Sequence, residues 1–282
     1  MIHSHFAVAA DRTVNVGESI QAAIDIAADG DTIVVAAGTY EESLNIRKPL
    51  TLRGNGEVVV NTQTNDANKG VDIQNTADVT IENFIFDGSN SVGQTGVDIN
   101  SAQNVVLSNV LVRNYGKNGI SVTTQYGDDY LAGDGVTFNN VSVDNAAWAG
   151  IAFYERNSSS PANVGGPMSG VVFSGTTTVT DTQWGIQLGD GTNSGLVTGP
   201  SGAALDLGHV VFTGNTNNIS NDQSDAIVTI SETSTIDGEL IKAADFGSLN
   251  VEILAVAEEQ PVEEEAENET GLEAPNTGFA RE

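Results

Sequence analysis

The residues best suited to chemistry are carboxylates that recur in one short phrase. Gly-Val-Asp-Ile occurs twice and places Asp72 and Asp98 at the same position, and the later stretch "QYGDDY" adds Asp128 and Asp129. On neighbouring strands Asp72 and Asp98 would lie ~4.8 Å apart, and a cation or a proton would relieve their repulsion. Because carboxylate oxygens suit Ca²⁺, the four aspartates predict a weak calcium site, and the alternative is a solvated acidic face.

Basic and aromatic side chains form a second set that suits contact with a sugar. An Arg or Lys can neutralise a sugar carboxylate during β-elimination, and an aromatic face can stack on a sugar ring. The basic candidates are Arg113, Lys117 and Arg156. The aromatic candidates are Tyr115, Tyr126, Trp148, Tyr154 and Trp184. The structural alternatives are an ion pair between Arg113 and an aspartate, and corner packing for the two tryptophans.

Short apolar phrases repeat along the chain and define the elements that would position these groups. Phrases of one Gly followed by alternating apolar residues begin at Gly70, Gly96, Gly119, Gly150 and Gly185. One unit of about three short strands cannot bury its own apolar face, so the units must stack. The pattern therefore predicts an all-β fold, a single-stranded parallel β-helix or solenoid, in which alternation turns the aspartate of each phrase outward.

Asparagines mark one corner of this predicted solenoid. Asn83, Asn109 and Asn140 occupy the same place in three consecutive repeats, just before an apolar phrase. Stacked amides can hydrogen-bond to one another at the strand spacing of ~4.8 Å. We interpret these three residues as a structural ladder.

The chain divides into three parts, and the central one begins with a helical pattern. Residues 16–28 place Ile20, Ala23, Ile24 and Ala27 at helical spacing, which suits an amphipathic helix. A solenoid has open ends with unpaired strand edges, so we expect this helix to cap the first coil. The predicted parts are a leader remnant or disordered start at 1–12, the β-helix at 13–254 and an acidic linker at 255–282.

The opening of the solenoid resembles a known group of proteins. Residues 19–56, "SIQAAIDIAADGDTIVVAAGTYEESLNIRKPLTLRGNG", are similar to the amino-terminal signature of right-handed parallel β-helix proteins of the pectin lyase-like superfamily. The resemblance implies a right-handed coil whose outer face, at Asp72 and Asp98, lines a sugar cleft that can hold calcium. Superfamily members include polysaccharide lyases, glycoside hydrolases, uronate epimerases, phage tailspikes and surface adhesins, so the fold does not settle the function.

Within that superfamily the hydrolase and epimerase readings are weak. Asp128 and Asp129 resemble the adjacent aspartates of polygalacturonase-type hydrolases. The companion motifs of that family, one with His and one with Arg-Lys, are missing, since the chain has only His3, His5 and His209.

The end of the chain carries a peptide that resembles a sorting signal. Residues 274–278 resemble the sorting pentapeptide of Gram-positive-type surface proteins, with Ala where Leu is usual. They are Ala274, Pro275, Asn276, Thr277 and Gly278. The family pattern continues with an apolar span and a basic tail, whereas "FARE" follows here. A sorting signal and a coincidental peptide both remain open, and a membrane link would need the missing anchor.

Composition limits the classes of partner. The chain has 38 acids against 10 bases, a net charge of −28, which argues against nucleic acid and anionic membranes because both demand Lys and Arg. There is no Cys, so disulfides and thiolate metal sites are excluded. The sequence favours a secreted or cell-surface module that binds polysaccharide. The alternatives are a calcium-assisted uronate lyase and a structural adhesin stalk, and the oligomeric state is not indicated.

Overall fold

The computed structural model describes residues 10–62, 69–89, 95–124, 135–155, 168–189, 199–200, 203–221, 227–247 and 249–255. Of the predicted start at 1–12, residues 1–9 lie outside these ranges, as do the acidic linker beyond 255 and the sorting-like peptide at 274–278. Asp11 and Arg12 already belong to a strand, so the boundary predicted after residue 12 is too late. No helix in the described ranges is long and apolar enough to cross a membrane.

Short strands make up most of the described chain. The helices are α1 (Ile20–Ile26) and a 3₁₀ helix (Ala243–Phe246). The strands up to residue 124 are β1 (Asp11–Val14), β2 (Thr32–Tyr40), β3 (Leu44–Ile46), β4 (Leu50–Asn61), β5 (Lys69–Gln74), β6 (Ala77–Asp87), β7 (Thr95–Asn100), β8 (Gln103–Tyr115) and β9 (Asn118–Thr124). The later strands are β10 (Val136–Ala146), β11 (Ala149–Glu155), β12 (Val172–Ser174), β13 (Thr176–Thr180), β14 (Trp184–Leu188), β15 (Leu205–Asp206), β16 (His209–Thr213), β17 (Asn217–Asn221), β18 (Val228–Ser231), β19 (Thr235–Ile236), β20 (Glu239–Leu240) and β21 (Val251–Leu254).

These strands form three sheets that run along the axis of a coil. An 11-stranded sheet has the order β1-β2-β4-β6-β8-β10-β13-β16-β19-β20, with β12 also paired to β10. A seven-stranded sheet has the order β17-β14-β11-β9-β7-β5-β3, and a smaller one has β15-β18-β21. Strands of successive coils pair in parallel, and β19 with β20 is the antiparallel exception among the described residues. The chain is therefore a right-handed parallel β-helix, as predicted.

The Gly of each repeated phrase lies at a corner of the coil where the interior has no room for a side chain. A Cβ built on Gly96 would lie 2.1 Å from Cγ1 of Val112, and one on Gly119 would lie 2.2 Å from Cγ1 of Val143. Such contacts are far inside van der Waals separation, so each coil needs a residue without a side chain here. The Gly and the apolar residue after it, such as Gly96 and Val97, both face the interior.

The predicted asparagine ladder is confirmed. Nδ2 of Asn109 donates to Oδ1 of Asn83 at 3.0 Å, and Nδ2 of Asn140 donates to Oδ1 of Asn109 at 3.2 Å. All three backbones have positive φ, between 51° and 60°, which Asn tolerates better than most residues. The ladder thus fixes a left-handed turn in the same place on successive coils.

Helix α1 is shorter than the sequence suggests and is tied to the first coil by polar side chains. Ile20 and Ile24 are buried. The Glu42 carboxylate accepts from the backbone N–H groups of Ile20 and Gln21 at 2.7 and 3.1 Å. The Gln21 amide accepts from the N–H of Asn45 at 2.7 Å and donates to its carbonyl at 3.2 Å.

Gln21 therefore replaces a neighbouring strand along the edge of β3. Because β3 ends the seven-stranded sheet, this contact satisfies backbone groups that an edge would otherwise leave unpaired. That α1 closes the coil end against solvent stays a prediction.

Candidate functional site

One outward column of side chains runs across the seven-stranded sheet. Register pairing aligns its members on successive strands, and we call this set the outer column. It consists of Asn45, Asp72, Asp98, Ser121, Ala152, Gln187 and Ser220. Asp72 and Asp98 are direct neighbours in it, as the repeated phrase predicts, but they are only 6% and 8% exposed. The outer column is thus buried at these two carboxylates, unlike the solvated face given as the alternative.

The two carboxylates share a cation supplied by the protein. Nζ of Lys69 donates to Oδ1 of Asp72 at 3.1 Å and forms a second ion pair with Asp98. Arg47 adds a bond from its guanidinium to Oδ2 of Asp72 at 2.5 Å. Burial lowers the pKa of Lys69, but the charges and hydrogen bonds of Asp98 and Asp72 outweigh it, so that the pKa is raised. Lys69 is therefore held as an ammonium ion between two carboxylates.

This arrangement bears on the predicted calcium site. The ammonium group of Lys69 lies between Asp72 and Asp98, where the sequence analysis predicts a cation. The two carboxylates therefore do not fit a Ca²⁺ ion while Lys69 bridges them. Within the described ranges no group of three or more His, Asp or Glu residues is placed to hold a metal. Asp128 and Asp129 lie outside those ranges, and calcium binding stays a prediction.

A corner beside the outer column exposes an aromatic ring. Trp148 precedes β11 and is 43% exposed, yet its indole Nε1 donates to Oε1 of Gln187 in the outer column at 3.1 Å. Its backbone N–H donates to the carbonyl of Lys117 at 2.7 Å, so Lys117 holds the equivalent place one coil earlier. We call Lys117, Trp148 and Gln187 the Trp148 corner. It presents an aromatic side chain held by a hydrogen bond, and one coil earlier the exposed residue Lys117.

Trp184 differs from Trp148 in its surroundings. It pairs in register with Ala149 on β11 and is only partly exposed. Its indole Nε1 is buried and has no hydrogen-bond partner among the described residues. The surroundings of Trp184 therefore fit a residue that packs at a corner of the coil, which is the structural alternative, better than an open platform for a sugar.

The assignment of Tyr115 as a sugar-binding residue is wrong. Tyr115 is 2% exposed, and its hydroxyl shares a 2.6 Å hydrogen bond with Oγ1 of Thr62 inside the coil. Burial raises the pKa of this phenol, so it has no tendency to ionise near neutral pH. The ring fits there because Gly70, Gly88 and Gly96 leave space around it.

Arg113 lies on β8, in a different sheet from the outer column. Its Nε forms an ion pair with Oδ2 of Asp87 at 2.7 Å, and Asn114 donates to Oδ1 of the same carboxylate at 2.9 Å. Burial raises the pKa of Asp87, but the hydrogen bonds from Asn114, Ser89 and Arg113 prevail and lower it. Arg113 thus pairs with a carboxylate of the 11-stranded sheet, which is the structural alternative given above for this residue.

Tyr126, Asp128, Asp129 and Arg156 lie outside the described residues, and for Tyr154 only the backbone, in β11, is described.

Sequence reasoning missed three residues of this region: Arg47, Lys69 and Gln187. Gln187 could have been predicted from the sequence, because it has the same position in the phrase Gly-Ile-Gln-Leu that Asp72 has in Gly-Val-Asp-Ile. Lys69 stands directly before the Gly of a phrase, three residues before Asp72, and simple alternation does not turn it outward.

Comparisons with known proteins give partial likenesses. No family model matches the chain. A cell surface glycoprotein of Methanothermus fervidus is 31% identical over 97 residues, which span 34% of this chain and 15% of that protein. The match therefore covers well under two thirds of the relative's length.

Solved structures with a similar course of the chain include two polysaccharide-acting enzymes. An alginate lyase from Paenibacillus sp. has a TM-score of 0.47 at 13% identity, with 88% of this chain and 92% of that chain covered. A pectin methylesterase in complex with a hexasaccharide has a TM-score of 0.36 at 13% identity, with 84% of each chain covered. At these TM-scores the β-helix assignment rests on the sheet topology of the chain itself.

Proposed function

We propose that this chain is a secreted or cell-surface β-helix module that binds polysaccharide at the Trp148 corner. The observation that carries the proposal is Trp148 itself, a large aromatic ring that is 43% exposed and yet fixed by a hydrogen bond to Gln187. Aromatic faces provide large contact areas for the C–H faces of sugar rings. A ring that is already held in place loses little conformational freedom when a ligand binds.

The neighbouring Lys117 favours sugars that carry an acidic group. Of the 10 Lys and Arg residues, Arg156 and Arg281 lie outside the described ranges, which leaves eight. Seven of these eight make an ion pair or a hydrogen bond: Arg12, Arg47, Lys48, Arg53, Lys69, Arg113 and Lys242. Lys117 is the eighth, is exposed, and has no such partner among the described residues. A carboxylate or sulfate on a sugar seated against Trp148 would pair with it.

The surface location is supported by the partial likeness to a cell surface glycoprotein and by the acidic composition. A net charge of −28 disfavours nucleic acid and anionic lipid as partners. The sorting-like peptide at residues 274–278 adds a route to the cell wall if the natural chain continues into an apolar span. That route is part of the proposal.

A calcium-assisted uronate lyase is the second reading, and it rests on the superfamily resemblance. Of its candidates, Arg113 is paired with Asp87 in the 11-stranded sheet and Tyr115 is buried. Lys117 belongs to the Trp148 corner, and Arg156 is outside the described residues. The third hypothesis is a structural adhesin stalk, a function that requires the fold and no binding site.

One experiment separates the three readings. The purified chain is applied to an array of neutral and acidic glycans, and each bound glycan is then incubated with the chain while the absorbance of unsaturated uronides is followed. Binding without product supports the module, and product supports the lyase. If the folded chain binds no glycan, both the binding module and the lyase are contradicted, and the structural stalk is the hypothesis that remains.

A further inference from the structure

We infer that Asn55 is a site of spontaneous deamidation, a covalent modification that converts its carboxamide into a carboxylate. The chain contains two Asn-Gly dipeptides, at 55–56 and 118–119, and the fold treats them in opposite ways. Deamidation in such a pair begins when the backbone nitrogen of the Gly attacks the side-chain carbonyl carbon of the Asn. A Gly places no side chain in the way of this attack.

The first pair stands in a bulge of β4. Against β6 the register jumps from Arg53 to Val58, while the partner residues advance only from Glu82 to Phe84. Residues 54–57 thus oppose a single residue of β6. On the β2 side Asn55 still pairs in register with Ala36, but Gly56, which carries the attacking nitrogen, lies in the bulge of both registers. Asn55 is exposed, and no hydrogen bond to its carboxamide is found among the described residues. Gly56 has a φ of 101°, a backbone state in which residues with a side chain are strained.

The second pair is protected in every one of these respects. Asn118 is 1% exposed, and its Nδ2 donates to Oγ of Ser121 at 2.9 Å. It lies in β9, whose pairing with β7 and β11 continues without a register shift. Gly119 is packed against Val143, so the Asn118 backbone cannot shift toward the geometry of ring closure. Asn118 is therefore an internal control of identical local sequence chemistry.

The reaction needs only water. The backbone nitrogen of Gly56 loses its proton to solvent and bonds to Cγ of Asn55, the bond from Cγ to Nδ2 breaks, and ammonia leaves. Water then opens the resulting succinimide at either carbonyl, which gives aspartate or isoaspartate and restores the proton count. Nothing is oxidised or reduced. Each event adds one negative charge to the bulge, and the isoaspartate product also lengthens the backbone there by one methylene.

The test follows both sites in the same sample. The full chain is incubated at mildly alkaline pH in heavy-oxygen water, digested, and analysed by peptide mass spectrometry. We expect conversion with one heavy oxygen at Asn55, at least about tenfold faster than at Asn118, because Asn118 reacts only from locally opened states. In urea the two rates should approach each other, and Asn55→Gln should abolish the native signal, since glutamine closes the ring far more slowly.

Two outcomes would overturn the inference. One is an Asn55 that keeps its amide in the folded chain while it converts in urea, which would mean that the bulge is protective. The other is equal conversion of Asn55 and Asn118 in the folded chain, which would mean that the fold does not select between them.

Discussion

Replacement of Lys69 by Met tests the physical account of the outer column. Lys69 joins Asp72 and Asp98, which are neighbours in the parallel register and almost fully buried. At a separation of ~4.8 Å and an effective dielectric constant of ~20, two such carboxylates repel each other by about 3 kcal/mol. Methionine keeps most of the volume and removes the charge, while Arg47 still neutralises part of the charge of Asp72. We therefore expect Lys69→Met to lower the free energy of unfolding by about 1–3 kcal/mol.

Urea denaturation at neutral pH measures this loss, and Lys242→Met is the matched control. Lys242 pairs with Glu239 at 4.0 Å, with side chains that are 70% and 85% exposed, so its removal should cost less than about 0.5 kcal/mol. In the Lys69 variant, the deficit relative to the parent should shrink as the pH falls, because one of the repelling carboxyls then takes up a proton. Equal effects of the two substitutions, or a Lys69 variant as stable as the parent, would refute the buried charge cluster.

The same variant decides the calcium prediction. With the ammonium gone, a Ca²⁺ ion can enter between Asp72 and Asp98 and would stabilise the variant by RT ln(1 + [L]/Kd). We expect calcium to raise the melting temperature of Lys69→Met more than that of the parent chain. If calcium raises neither, the prediction of a calcium site at these two aspartates is wrong.

Three further predictions follow from the fold. Ile24→Asp places an unpaired charge against the first coil and should cost several kcal/mol, whereas an unchanged melting point would refute the cap. Asp31 has its pKa lowered from 3.8 to about 2 by backbone hydrogen bonds and by Arg12, so its contribution to stability should be present above pH 3.8 and lost as the pH falls through about 2. Asp31→Asn should remove that part of the acid transition, and an identical acid melting profile would contradict the assignment. Gly96→Ala forces a Cβ to within 2.1 Å of Val112 and should destabilise by about 1–3 kcal/mol or more in urea melts, while a neutral effect would mean that the corner yields.

The β-helix could be predicted because its rules are local and repeat. The phrases at Gly70 and Gly96 show the apolar alternation and the corner Gly, and the register pairs Asp72 with Asp98 as the phrases do. The asparagine ladder was predictable for the same reason, since one residue type recurs at one place in three consecutive coils.

The contents of the site were harder to predict because they depend on where alternation breaks. Gly70 and Val71 both face the interior, so Lys69 is turned outward toward Asp72 although simple alternation would point it inward. The burial of Tyr115 depends on space left by glycines of other coils, which no local pattern reveals. Both are properties of the stacked coil and not of one repeat.

The central claim, that Trp148 is the platform for a sugar, is tested most directly by calorimetric titration with an acidic oligosaccharide. Truncation of a central Trp anchor typically costs ~2 kcal/mol or more, which is about a thirtyfold rise in Kd. We predict that Trp148→Ala weakens binding by at least about that factor and that Trp148→Tyr retains most of the affinity. Both variants lose the hydrogen bond to the buried Gln187, so we expect a lower melting temperature but a folded chain at the temperature of the titration. An unchanged Kd for a folded Trp148→Ala chain would contradict the claim and place the sugar elsewhere on the coil.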